Sequence, residues 1–154
     1  MTSKVTGGAL AGIVGGIAFG VMMQLMSAPT PEGGSMPMMA MVAMVVHSTS
    51  IAVGWIYHVF NSAVIGILFA TFIGGRVTGA GSGVAWGAAW GVLWWVLGGL
   101  VLMPLLLGMP AFASLIMPAM RPVAMGSLVG HLMYGSLLGF VYARIAHVGQ
   151  FRTT

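Results

Sequence analysis

The sequence predicts an all-α fold: an integral membrane bundle of four transmembrane helices, made of two helical hairpins that repeat one another. Three observations predict it. Charged residues make up 4% of the 154-residue chain and hydrophobic ones 59%, against roughly a quarter charged in ordinary globular domains; the mean hydropathy is +1.06. The charged side chains, Lys4, Glu32, Arg76, Arg121, Arg144 and Arg152, are so widely spaced that the runs between them can cross roughly 30 Å of hydrocarbon several times. Finally, glycines, prolines and histidines recur in the same order in the two halves of the chain.

The first apolar run, Gly7 to Met26, predicts a helix of roughly 30 Å, one bilayer crossing. Lys4 ahead of an apolar stretch also suits a signal peptide. The run is longer than a usual h-region, however, and Met26-Ser27-Ala28-Pro29 lacks a small-x-small cleavage pattern. It is read as a retained span, stopped by the breaker cluster Ala28-Pro29-Thr30-Pro31-Glu32-Gly33-Gly34.

The next uncharged run, Met36 to Gly75, would be about twice the membrane thickness as one helix. Dividing it at Ser48-Thr49-Ser50 gives a short Met-rich segment, Met36 to Val46, lying at the interface or re-entering, and a second span from about Ile51 to Ile73. A third span runs from about Gly81 to Met103, with Pro104 expected to end it. Leu105 to Arg121 is too interrupted to cross, and the fourth span covers about Val123 to Ala146. The whole chain, 1–154, is one membrane domain.

Four spans put both termini on one side, together with the turn at Arg76. That side carries Lys4, Arg76, Arg144 and Arg152, and the other Arg121 and Glu32, so the positive-inside rule predicts cytoplasmic termini in the inner (plasma) membrane.

A shift of 75 residues lays Gly8, Gly12 and Gly16 on Gly83, Gly87 and Gly91, and Pro29 on Pro104. A shift of 73 lays His58 on His131, Gly66 on Gly139 and Ala70 on Ala143. The repeats cover about 5–76 and 80–149. Each holds two crossings, so they should be related by a pseudo-twofold axis along the membrane normal, with His58 and His131 at equal depth.

Composition also excludes function classes. Five basic residues scattered along the chain form no cluster to track phosphates, so nucleic acid is not an expected partner. There is no cysteine, hence no disulfide, thiolate ligand or cysteine nucleophile. With Glu32 as the sole carboxylate, paired-carboxylate and Ser-His-Asp chemistry cannot be assembled within one chain. The glycine repeats follow no strand and precede no P-loop lysine. The chain is therefore expected not to be an enzyme.

Three stretches carry a family resemblance: Gly54-Trp55-Ile56-Tyr57-His58, Trp90-Gly91-Val92-Leu93-Trp94 leading to Met103-Pro104-Leu105, and Gly130-His131-Leu132-Met133-Tyr134-Gly135-Ser136-Leu137-Leu138-Gly139. Together they resemble a family of small prokaryotic four-helix membrane proteins known as a domain of unknown function, with a looser similarity to YagU-type inner-membrane proteins. The resemblance implies the architecture and no activity.

Small residues every four positions, Gly8-Gly12-Gly16 and Gly83-Gly87-Gly91, with Gly135 and Gly139 on the fourth span, are the expected adhesive of helices in lipid. The plain reading is packing within the chain; the sharper one is a homo-oligomer or a membrane-complex partner. His58 and His131, with Asn61 and Tyr134 nearby, are the candidate polar or ligand site, because an imidazole deep in a bilayer must find a partner. They suit hydrogen bonding across helices, a haem or metal site, or a relay for protons or a small solute.

His47, Met38 and Met41 are the candidate metal donors. The cluster Met36, Met38, Met39, Met41 and Met44 has thioethers suited to Cu(I), although methionine is also a flexible apolar filler. The stripe Trp86, Trp90 and Trp94 reads as lipid-facing or interhelical packing. The function expected is a non-enzymatic accessory, structural or self-associating membrane subunit. The alternatives are a small transporter or channel using the histidines, and a haem- or copper-binding protein.

Overall fold

The computed structural model describes residues 4–30 and 33–150, with side chains through Ala146. Glu32, Arg152 and the side chain of His147 lie outside the described residues. The elements are α1 (Lys4–Leu25), β1 (Ser27–Pro29), β2 (Ser35–Pro37), α2 (Met38–Met44), α3 (Ile51–Phe72), α4 (Ala80–Trp94), α5 (Met103–Leu106), α6 (Ala113–Ile116) and α7 (Arg121–Gln150). Among the described residues, four helices are long and apolar enough to cross a membrane, the third running from Ala80 to Leu106.

Helix α1 fits between α3 and α7 because it has two faces without bulk. Gly8, Gly12 and Gly16 lie against the Gly66 and Ser62 backbone and the Ser62 side chain of α3, while Gly7 and Gly15 lie against Tyr142, Ile145 and Tyr134 of α7. Its third face, Leu10, Val14, Ile17, Val21 and Leu25, is exposed, as expected for lipid solvation. On the other side of α7, Gly139 and Gly135 meet Gly83 and Gly87 of α4 backbone to backbone, and Gly91 meets the His131 carbonyl. Hydrophobicity does not drive helices together in lipid, so this close backbone approach is what holds the order α3–α1–α7–α4.

The α1–α2 connection turns back as a two-stranded antiparallel hairpin, Ala28 opposite Met36. Gly33 supplies the positive φ of 84° that its turn needs. The Met38 N–H then donates to the Met26 carbonyl, 2.9 Å, and α2 lies on the start of α3, where Gly54 admits the Met39 carbonyl. Met38, Met39 and Met41 are buried in this packing. His47 closes α2 with a left-handed φ of 57°.

Pro104 does not end the third span. Residues Trp95–Leu102 form a π-helical stretch between α4 and α5, and the helix continues through Pro104 to Leu106. A proline lacks the N–H that would reach the carbonyl four residues back. Here the preceding turn is in π register, with the Met103 N–H reaching the Gly98 carbonyl, and the Leu100 carbonyl accepts the Phe112 N–H at 2.6 Å. The break predicted from sequence is thereby healed by a loop residue that folds back.

Candidate functional site

Helices α3 and α4 are joined by the 3-10 turn Gly74–Arg76. Near that turn they meet through Phe69 and Trp90, ring centroids 6.1 Å apart. Farther from it they separate, and α1 and α7 form the back of a cavity of about 260 Å³ that both helices line. The π stretch contributes Gly98 and Gly99 to one wall; α2 contributes Met38 and Val42 at the end opposite the turn. π-helical turns interrupt regular packing and are frequent at functional sites.

His58, Asn61, His131 and Tyr134, named from sequence as one site, all line this cavity. The Phe19 ring of α1 packs against both imidazoles, edge to face, with centroids 5.5 Å from His58 and 4.8 Å from His131. His58 Nε2–H donates to the Gly16 carbonyl on α1 at 2.9 Å. His131 Nδ1–H donates to the Ser127 carbonyl one turn back on its own helix at 2.8 Å. In their neutral form the two rings are thus held in opposite tautomers, with Nδ1 of His58 and Nε2 of His131 as acceptors.

The Tyr134 hydroxyl donates to the Ser62 carbonyl at 2.8 Å. Asn61 has no hydrogen-bond partner among the described residues, although its side chain lines the cavity. Trp94, also on the wall, has a buried indole N–H without a partner. The chemistry offered is therefore a carboxamide and two imidazole lone pairs set in aliphatic and aromatic walls. That combination can orient a neutral molecule by a few hydrogen bonds.

His47 is exposed at the end of α2 and does not line the cavity. Met38 lines it, whereas Met41 lines a smaller neighbouring cavity together with Met38. Among the described residues no three His, Cys, Asp or Glu side chains converge as a metal-binding group.

Sequence reasoning missed Phe19, Ser127, Gly98 and Gly99. Phe19 follows Gly16 by three residues, so the helical period already places it on an inward face of α1. Ser127 precedes His131 by four, the spacing that lets the ring reach its carbonyl. The π stretch had no comparable signal beyond the glycine pair ahead of Pro104. No protein-family model, curated protein or solved structure matches this chain.

Proposed function

We propose that the protein is a non-enzymatic accessory protein of the inner (plasma) membrane that holds a small, neutral amphipathic molecule between α3 and α4. One observation carries this reading: the Asn61 carboxamide lines a largely apolar cavity without a protein partner among the described residues. A polar group left unsatisfied at membrane depth costs several kcal/mol by general estimates. An occupant with a hydrogen-bonding head removes that cost while its apolar part fills the walls. The volume of about 260 Å³ suits a molecule at the small end of ordinary ligand sites.

Holding is better supported than conducting. Toward the α3–α4 turn the bundle is filled by Phe69, Leu138 and Tyr142, all buried, so a solute path in that direction requires those side chains to move. A haem or single metal held by both histidines would have to displace Phe19, whose ring touches both.

The same proposal includes a duplicated hairpin with cytoplasmic termini. In its support, Gly8 and Gly12 meet Gly66 and Ser62 as Gly83 and Gly87 meet Gly139 and Gly135, residues equivalent under the two sequence shifts. The copies diverge at the cavity, where His58 bonds across to α1 and His131 bonds within α7. Lys4, Arg76 and Arg144 share one end of the bundle, which supports that end being cytoplasmic. Self-association would have to use the aliphatic outer faces, because the glycine faces are occupied within the chain.

Extraction of the protein from native membranes into lipid nanodiscs, followed by mass spectrometry of retained small molecules, tests the reading. A species enriched over bulk lipid and lost in Asn61→Leu is expected. Equal recovery from wild type and variant, or no enriched species from either, overturns it.

A further inference from the structure

A second, smaller cavity of about 30 Å³ lies beside the first, at the end of the bundle opposite the α3–α4 turn. Five methionines line it: Met38 and Met41 of α2, Met103 of α5, Met109 of the following loop and Met120 just before α7. Ser114, only 7% exposed, is also among the residues around it, and its buried hydroxyl has no hydrogen-bond partner. The space is about that of one water molecule or one ion.

Methionine is a common filler of irregular cores, yet filling does not account for this arrangement. Methionines from four separate chain segments line a space that they leave open, and a buried hydroxyl beside it is left without a partner. From the geometry we infer a binding site for one soft monovalent cation, Cu(I), with Met38, Met41, Met103 and Met120 as the donor pool and Ser114 as a weak oxygen donor. Neutral thioether ligands select Cu(I) and its analogue Ag(I) over Zn²⁺, Mg²⁺ or Ca²⁺, which want imidazole, carboxylate or water. The chain has no cysteine to compete for a soft ion. Met109 is half-buried and supplies a thioether at the rim through which an ion can pass inward.

Met38 and Met103 line both cavities, but the ion site does not rest on the amphiphile reading, since its donors include neither Asn61 nor either histidine. Ag(I), which needs no reductant, is the probe. Full-length protein in nanodiscs, labelled with ¹³C at the methionine methyls, is titrated with Ag(I) and followed by NMR and by calorimetry. One equivalent per chain should bind, shifting the methyls of the lining methionines while leaving Met117, which is 46% exposed and outside the cavity. The double variant Met38→Leu/Met41→Leu, close in volume to wild type, should bind at least tenfold more weakly, and Met117→Leu as wild type does. Excess Zn²⁺ should not displace the ion. No stoichiometric binding, shifts spread evenly over all methionines, or unchanged affinity in the double variant would overturn the inference. The wild-type methyl shifts decide it even where a variant fails to fold.

Discussion

The Tyr134 hydroxyl of α7 donates to the Ser62 carbonyl of α3 at 2.8 Å, joining two helices that flank α1. The same Ser62 carbonyl lies against Gly12, and the Tyr134 ring lies against Gly15. Three helices are therefore locked at one level by a single hydrogen bond passing over a helix surface that has no side chains there. It lies at the edge of the cavity, since both residues line it.

Tyr134→Phe keeps the ring and removes only this bond. Interhelical hydrogen bonds in membranes are worth about 0.6 kcal/mol on average, because the unfolded chain in lipid also finds partners. The expected loss is therefore about 0.5–1.5 kcal/mol in a reversible detergent-unfolding titration. Tyr134→Ala, which also empties a buried site, should cost about 3–5 kcal/mol. Equal effects of the two variants would show that the ring contributes nothing, contrary to its burial.

Within α4, two glycines make opposite predictions. A Cβ at Gly87 would run into the Gly135 backbone, whereas one at Gly81 meets nothing within 4 Å. Gly87→Ala should force α4 off α7 and destabilise by about 1–3 kcal/mol, the usual cost of overpacking. Gly81→Ala should stabilise by about 0.5–1 kcal/mol through reduced backbone freedom of the unfolded chain. Parallel unfolding curves that move in the same direction for both would contradict the packing described.

These glycines also show how far the sequence could be read. The four-residue spacing of Gly8, Gly12 and Gly16 reveals a smooth helix face, but the residue that fills that face belongs to another span and is not written locally. The break at Ser48-Thr49-Ser50 was legible because hydrocarbon thickness sets a limit on helix length. The continuation through Pro104 was not, because it depends on Phe112 reaching back to Leu100, a tertiary event. The histidines drew notice as polar residues in an apolar run, while Phe19, which packs on both, has the same apolar chemistry as its many lipid-facing neighbours. The β hairpin at Ser27–Pro37 was masked by prolines at positions that usually argue against strands.

Gly98 provides a direct handle on the cavity. It lines the wall in the π stretch, and a Cβ there would meet only Trp94, at 3.9 Å. Gly98→Leu should project a side chain into the open volume with little strain on the bundle. Retention of the bound species should fall at least tenfold in the nanodisc assay while the unfolding midpoint stays within about 0.5 kcal/mol of wild type, as for substitutions that meet no packed neighbour. Loss of stability without loss of retention would mean that the side chain enters helix packing instead of the cavity.

The absence of native cysteine makes orientation measurable by single introduced thiols. Thr49 is exposed between α2 and α3, and Gly75 lies in the α3–α4 turn, where a Cβ meets nothing within 4 Å; the two positions are at opposite ends of α3. The basic side chains at the Gly75 end should keep it in the cytoplasm. A membrane-impermeant maleimide applied to intact cells is therefore expected to label Thr49→Cys rapidly and Gly75→Cys only after permeabilisation. The reverse pattern would invert the protein and place the methionine-lined cavity on the cytoplasmic side. Labelling of both positions from outside would mean that α3 does not cross the membrane, and the four-span topology would fall with it.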